Sequence, residues 1–137
     1  MSIDPYILFN GNCAEAFTFY EKLLGGKTLL KMTHGESPMA DQTAPEWKDK
    51  IMHISMELGN RILMGSDAPP GRYEKPQGFS MSVTAKDPAE AERFFNELSK
   101  NGTVIMPITK TFWSPAFGML VDRFSIPWMV NCNEKPA

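Results

Sequence analysis

The chain has 137 residues, with 14 Lys or Arg against 16 Asp or Glu and a formal net charge of −2. This length predicts a single globular domain, and the absence of a basic excess argues against nucleic acid as a partner. No apolar run approaches the roughly 20 residues that cross a bilayer, and the N-terminus does not resemble a signal peptide. We therefore expect a cytoplasmic protein without a membrane partner.

Two segments that lie 75 residues apart share the features of an amphipathic helix. The first begins at Asn12 and the second at Asp87, both of which are residue types that accept a hydrogen bond from a helix N-terminus. Glu15 and Glu90 occupy the third helical position and predict a capping box in each segment. The apolar positions follow a spacing of i, i+3, i+4 and i+7. They are Ala16, Phe19, Tyr20 and Leu23 in the first segment, and Ala91, Phe94, Phe95 and Leu98 in the second.

Strand-like segments surround each predicted helix. Those of the first half are residues 6–9, 28–32, 51–58 and 61–65, and those of the second half are 79–85, 103–108, 117–121 and 128–131. Each half therefore predicts the order β-α-β-β-β. The fold class is α+β, with an internal repeat of modules at about residues 1–70 and 71–137 within one domain.

Alternation within the strands predicts which side chains share a face. In residues 51–58 the apolar side consists of Met52, Ile54, Met56 and Leu58, and the polar side of His53, Ser55 and Glu57. In residues 79–85 the apolar side consists of Phe79, Met81 and Val83, and the polar side of Ser80, Ser82 and Thr84. We expect each apolar face to pack on its helix and each polar face to line a cavity or to meet solvent.

The paired modules resemble the vicinal oxygen chelate (VOC) superfamily, which includes glyoxalase I, bleomycin-resistance proteins and extradiol dioxygenases. Four phrases are similar to those of the bacterial PhnB-like proteins: PYILFNGNC from Pro5, DKIMH from Asp49, GSDAP from Gly65 and FGMLVDRFSIPW from Phe117. The resemblance implies a single VOC-like domain over residues 1–137. It also implies paired βαβββ modules with curved, mainly antiparallel sheets around a cavity, one helix per module, and a homodimer.

The superfamily's enzymes bind a metal ion through four strand residues, usually His or Glu. By register, the resemblance places these positions at Pro5, Met64, Gly78 and Met129. Proline and glycine offer no side-chain donor, and thioethers are poor ligands for hard or borderline divalent ions. We therefore predict no metal and no cofactor. A methyltransferase label used for relatives also lacks support, because no Gly-rich strand-turn-helix is present to hold a nucleoside cofactor.

The residues expected to contact a ligand are His53, Ser55, Glu57, Met64, Ser80, Ser82, Trp113 and Met129. His53 is the candidate general base, with Glu57 on the same strand face, although a histidine hydrogen-bonded to a neighbouring loop or subunit is the alternative. Trp128 is expected in the core, and Cys13 and Cys132 are expected to be reduced and buried.

Three functions are consistent with these residues. The first is a metal-free homodimeric protein that binds an unidentified small molecule. The second is a VOC enzyme of the lyase, isomerase or dioxygenase type, which uses His53 or an unexpectedly bound metal. The third is a structural dimer with a vestigial cavity.

Overall fold

The computed structural model describes residues 1–133, which divide into two compact units with a boundary between Glu74 and Lys75. Each unit contains four strands and one α-helix in the predicted order β-α-β-β-β. The first unit comprises β1 (Tyr6–Phe9), α1 (Cys13–Leu24), β2 (Lys27–Thr33), β3 (Ile51–Leu58) and β4 (Arg61–Asp67). The second comprises β5 (Met81–Ala85), α2 (Pro88–Ser99), β6 (Thr103–Thr109), β7 (Phe117–Val121) and β8 (Pro127–Cys132).

The two sheets have the same topology. The strand order is β1-β4-β3-β2 in the first sheet and β5-β8-β7-β6 in the second. In each sheet the first strand pairs in parallel with the last, and the other two pairings are antiparallel. The helix connects the two edge strands of its sheet and crosses one face of the sheet, because these strands run parallel and need a crossover connection. The predicted α+β class and mainly antiparallel pairing are confirmed.

Each helix buries one stripe of side chains against one face of its own sheet. In the first unit this core includes Phe17 and Tyr20 of α1, which lie with the buried strand residues Ile7, Ile54 and Leu63. Phe17 is fully buried whereas Phe19 is only half-buried, so the predicted stripe was wrong by one position. The reason is that the i, i+3, i+4, i+7 pattern of buried residues begins at Cys13, which makes Phe17 rather than Phe19 a member of the buried face.

The second core contains the predicted stripe of α2 together with Leu120, Trp128 and Val130. Trp128 is buried, as expected. Its indole Nε1 donates a hydrogen bond at 2.9 Å to the buried carboxylate of Asp122. Gly118 allows α2 to approach β7 closely, since a Cβ atom there would lie 2.6 Å from Cε2 of Phe95.

The N-terminus of α1 is capped differently from the sequence prediction. The side chain of Asn12 makes no capping hydrogen bond, and its Oδ1 is buried without a partner among the described residues. The buried carboxylate of Asp67, at the end of β4, accepts instead from the backbone N–H of Cys13 at 3.0 Å and from that of Ile51 at 2.8 Å. The capping box predicted from Asn12 and Glu15 was therefore wrong, because a carboxylate from a distant strand occupies that role.

The N-terminus of α2 follows the sequence prediction more closely. The Asp87 carboxylate accepts from the backbone N–H of Glu90 at 2.8 Å. The Glu90 carboxylate then accepts from the backbone N–H of Lys86 at 3.2 Å, one residue earlier than in a standard capping box.

Two predicted strand faces were wrong in detail. Met52 is exposed rather than buried, because the register shift between β2 and β3 makes it a bulged residue and allows both Ile51 and Ile54 to be buried. Phe79 is 51% exposed, and β5 begins only at Met81. Gly78 has a left-handed backbone with φ of +83°, which turns the chain just before this strand.

Cys13 and Cys132 are free and buried, as expected. In the described part of the chain, neither helix is long and apolar enough to cross a membrane.

Candidate functional site

The face of the first sheet that α1 does not cover carries most of the predicted site residues of this unit. Tyr6 on β1 lies beside Met64 on β4, and Met64 lies beside Ser55 on β3. The residues that alternate with them, such as Ile7 and Ile54, are buried on the helix side. Alternation therefore places Tyr6, His53, Ser55 and Met64 together on the helix-free face.

Tyr6 and His53 form a direct pair on this face. The hydroxyl of Tyr6 lies 3.2 Å from Nδ1 of His53, and the two rings stack with centroids 5.6 Å apart and planes inclined by 29°. This contact spans β4, which separates the two strands. A hydrogen bond at one ring nitrogen orients the imidazole and determines the role of the other nitrogen.

Tyr6 was not predicted from the sequence as a partner of His53. The only sequence feature that points to Tyr6 is alternation along β1: Tyr6 is the first residue of this strand and precedes the buried Ile7, so its side chain lies on the face opposite α1. Alternation identifies Tyr6 as a neighbour of His53 only when the strand order is known. The two residues are 47 positions apart in sequence, and they meet because β1 lies beside β4 in the sheet.

Glu57 lies on the same strand as His53 but not beside it. Its register partner is Lys27 on β2, and the side chain is exposed. Four strand residues span about 13 Å, which is too far for a hydrogen bond between the two side chains. The fold thus brings Tyr6, rather than Glu57, to the imidazole.

The helix-free face of the second sheet contains two rows of neighbouring residues. We define the methionine row as Ser82, Met129, Met119 and Met106, in the order β5, β8, β7 and β6. We define the asparagine row as Thr84, Asn131, Phe117 and Thr109, in the same strand order. The three methionines, Asn131 and Phe117 are half-buried, whereas Ser82 and Thr84 are exposed. The predicted residues Ser82 and Met129 are therefore direct neighbours, and Ser80 lies just before β5.

Trp113 lies in the connection between β6 and β7 and is 48% exposed. Its ring packs edge-to-face on Phe117, with centroids 5.2 Å apart. The next residue, Ser114, is buried, and its one hydroxyl proton can be donated to the carbonyl of Ala116 at 2.8 Å or of Cys132 at 2.6 Å. Its Oγ accepts from the backbone N–H groups of the same two residues at 3.2 and 3.3 Å. These bonds attach the connection to the end of β8 and so determine where Trp113 lies.

The superfamily's metal positions do not form a donor set in this fold. Pro5 and Gly78 lie just before β1 and β5, and Met64 and Met129 are half-buried on the helix-free faces of their sheets. Together these residues offer two thioethers and no nitrogen or oxygen side-chain donor, which does not suit a divalent ion. Among residues 1–133, no three His, Cys, Asp or Glu side chains are grouped so as to hold a metal ion.

The buried thiol of Cys13 is not a candidate nucleophile. Burial raises the pKa of this thiol well above its usual value, and the nearby Asp67 carboxylate raises it further. A thiol must ionise to react, so Cys13 is a structural residue.

Comparison with known proteins identifies the family. The family described as 3-demethylubiquinone-9 3-methyltransferase matches residues 1–131. The chain belongs to this family. Its fold is that of PhnB and VOC-fold structures, as its sequence phrases suggested.

Three known proteins are similar to this chain over nearly its whole length. Protein YjdN from Escherichia coli (strain K12) is 33% identical over 139 residues, which cover 96% of this chain and 95% of that protein. The structure of PA1353 from Pseudomonas aeruginosa is 46% identical with a TM-score of 0.90, and covers 98% of this chain and 99% of its own. A PhnB protein from Bacillus cereus, described as a putative 3-demethylubiquinone-9 3-methyltransferase, is 22% identical with a TM-score of 0.82, covering 96% and 99%.

The fold is also that of a glyoxylase/bleomycin resistance protein/dioxygenase domain from Frankia sp. EAN1pec. That structure is 8% identical with a TM-score of 0.66 and covers 98% of both chains. At this identity the likeness concerns the fold alone.

Proposed function

We propose that this protein binds a small organic molecule without a metal ion and acts as a homodimer in the cytoplasm. The observation that carries the proposal is the Tyr6–His53 pair on the helix-free face of the first sheet. The proposed ligand contacts remain the eight residues predicted from the sequence, with Tyr6 added to them.

The pair supports binding because it presents an oriented polar group next to an apolar surface. When the Tyr6 hydroxyl donates to Nδ1, the neutral imidazole carries its proton on Nε2 and offers a hydrogen-bond donor there. The hydroxyl of Ser55 supplies a second polar group on the same face, and Met64 supplies an adaptable apolar one. Few, well-oriented polar groups on an apolar background are typical of small-molecule sites.

The donor chemistry at Pro5, Met64, Gly78 and Met129 supports the proposal that no metal ion is bound. The test is elemental analysis after incubation of the purified protein with zinc, nickel, manganese or iron and removal of free ions. We expect less than about 0.1 ion per chain, and one tightly held ion per chain would contradict the proposal.

The homodimer is supported by apolar side chains on the edge strands. Leu29 on β2 and Ile105 on β6 are each the extra residue of a bulge, and they are 51% and 58% exposed. Exposed apolar groups at sheet edges are typical of protein interfaces. Sedimentation equilibrium should give twice the chain mass, and Leu29→Lys or Ile105→Lys should shift the protein towards monomer.

Binding is tested by thermal-shift screening of a metabolite panel, followed by recovery of the bound compound. A true ligand stabilises the protein in a saturable manner, by about 2.7 kcal/mol at a hundredfold excess over Kd, and is released unchanged. We expect Tyr6→Phe, which removes only the hydroxyl, to weaken binding about fivefold, and His53→Ala to weaken it further. Glu92→Gln, at an exposed position of α2 outside the proposed contacts, is the matched control and should have little effect.

A second candidate function is an enzyme of the lyase, isomerase or dioxygenase type with His53 as the general base. The opposite tautomer of the same pair favours it, because an imidazole whose Nδ1–H donates to the Tyr6 hydroxyl oxygen keeps a free lone pair on Nε2 that can accept a proton from the bound compound. Conversion of the bound compound, lost in His53→Ala, would establish this function instead of simple binding. Methyl transfer, named in the family's description, is less well supported because the β1–α1 turn contains a single glycine rather than a Gly-rich nucleotide-binding loop.

A further inference from the structure

The helix-free face of the second sheet combines three features that together indicate a class of ligand. Neither the methionine row nor the asparagine row contains a charged residue. Three neighbouring thioethers form an apolar surface that can adapt to the shape of a bound molecule. A charged ligand would lose its hydration on such a surface without finding a compensating partner, so the surface favours a neutral one.

Asn131 provides the polar group that this surface otherwise lacks. Its Oδ1 is buried and accepts no hydrogen bond from any described residue. A buried acceptor without a partner is destabilising, and a ligand N–H or O–H group would supply the missing hydrogen bond. The residue as a whole is half-buried, so rotation of the terminal amide can turn the oxygen towards a ligand.

Trp113 provides an aromatic wall, and Ser114 holds it in place. Ser114 is bonded to Thr111 as well as to Ala116 and Cys132. The backbone N–H of Ser114 donates to the Thr111 hydroxyl at 3.1 Å, and the backbone carbonyl of Ser114 accepts from the Thr111 N–H at 2.9 Å. The exposed indole is thus presented by a short segment with a dense local hydrogen-bond network. Such a fixed aromatic group binds a planar partner at low entropic cost.

We propose that the second unit binds a neutral, planar aromatic molecule that carries a hydrogen-bond donor. The molecule lies on the methionine row, packs against Trp113 and donates to Asn131, while Ser114 acts as a positioning residue. This inference rests on the proposed binding function and adds the ligand class. It separates this protein from a binder of anionic ligands such as phosphonates.

The test uses three naphthalene probes with the full chain, whose methionine methyl groups carry ¹³C. The probes are 2-naphthol, which has a donor; 2-methoxynaphthalene, which has none; and 2-naphthoate, which is an anion. Methyl signals are assigned by single Met→Leu variants, and affinities are obtained from titration shifts. We expect 2-naphthol to shift the signals of Met119 and Met129, and to bind about fivefold more tightly than 2-methoxynaphthalene and more tightly than 2-naphthoate.

Variants distinguish the parts of the proposal. Asn131→Leu should abolish the preference for 2-naphthol over 2-methoxynaphthalene. Trp113→Ala and Ser114→Ala should weaken both probes, and Ser114→Ala should also increase the mobility of the Trp113 indole measured by ¹⁵N relaxation of its Nε1–H group, which is resolved from those of the other two tryptophans. In the double variant Trp113→Ala/Ser114→Ala, the loss of affinity for the probes should not exceed that of Trp113→Ala alone, because Ser114 acts only through the indole.

Several outcomes would overturn the inference. Shifts confined to Met32 and Met64 of the first unit would remove it while leaving the proposed binding function intact. Stronger binding of 2-naphthoate, or no methyl shift with any probe, would also remove it, and the metabolite screen tests the general binding function separately. A preference for 2-naphthol that survives Asn131→Leu in a folded variant would show that Asn131 is not the acceptor.

Discussion

Asp67 accepts a hydrogen bond from the backbone N–H of Cys13 at 3.0 Å, across 54 residues of sequence. Its second carboxylate oxygen accepts from the N–H of Ile51 at 2.8 Å, so one buried side chain connects the end of β4 with the start of α1 and of β3. A negative charge at a helix N-terminus also interacts favourably with the helix dipole. The placement of the N-terminus of α1, directly after β1, thus depends on Asp67 in the last strand of the unit.

Replacement of Asp67 should therefore destabilise the protein more than replacement of the apparent cap. We expect Asp67→Asn to lower the free energy of unfolding by about 2 kcal/mol, because it removes the charge and places an N–H group near a backbone donor. The control is Asn12→Ala, which should change the free energy by less than about 0.5 kcal/mol, whereas loss of a working N-cap costs about 1 kcal/mol. Urea unfolding measures both, and the reverse order would contradict this interpretation.

The two buried thiols should be unreactive in the native state. Burial and the Asp67 carboxylate raise the pKa of Cys13, and Cys132 is equally inaccessible to solvent. At pH 8 an aromatic disulfide reagent should modify neither thiol on the timescale on which it modifies both in urea. In Cys13→Ala the remaining signal reports opening of the second unit alone, and in Cys132→Ala that of the first. Rapid native labelling of either thiol would contradict the described packing.

The pKa of Cys13 also predicts a change in stability at alkaline pH. The pKa of the Cys13 thiol is higher in the folded state than in the unfolded state. Its contribution to the free energy of unfolding is therefore complete below the ordinary thiol pKa. The contribution declines as the pH rises past that value, because only the unfolded thiol ionises there. The difference in urea midpoint between the wild type and Cys13→Ala should therefore become smaller between pH 8 and pH 10.

Glu36 should titrate below the usual range for a glutamate. The Thr33 hydroxyl donates to its carboxylate at 2.8 Å and the Thr33 backbone N–H at 3.1 Å, and these bonds lower the pKa of Glu36. A lowered folded-state pKa contributes stability at neutral pH that is lost as the pH falls through that value. The ¹³C shift of the Glu36 carboxylate gives the pKa directly. In Thr33→Val it should move back towards the ordinary value, and an unchanged pKa would show that the hydroxyl is not the cause.

A methyl group at position 118 should disturb the contact between α2 and β7. Its Cβ would lie 2.6 Å from Cε2 of Phe95 and 3.0 Å from the backbone of Ile108, so Gly118→Ala should cost about 2 kcal/mol. Ser82→Ala, at an exposed position of the same sheet, is the control and should be nearly neutral. The double variant Gly118→Ala/Phe95→Leu should recover part of the lost stability, because the smaller side chain makes room for the methyl group. Losses of stability that simply add in the double variant would instead point to the contact with the Ile108 backbone.

The amino-acid sequence by itself determined the elements and their order. The helices follow from apolar periodicity and capping residues, and the strands from alternation, all of which act within a few residues. Asp87 caps α2 as predicted because donor and acceptor are three residues apart. The duplication was visible for the same reason, since local signals repeat along the chain.

Only the tertiary structure decided the contacts between distant strands. It placed Asp67 where Asn12 was expected, brought Tyr6 to His53 across β4, and made Met52 a bulged residue. These outcomes depend on strand order and register, which are set by the packing of whole sheets on their helices and leave no short-range sequence signal. The local elements could therefore be predicted from the sequence, whereas these contacts between distant residues could not.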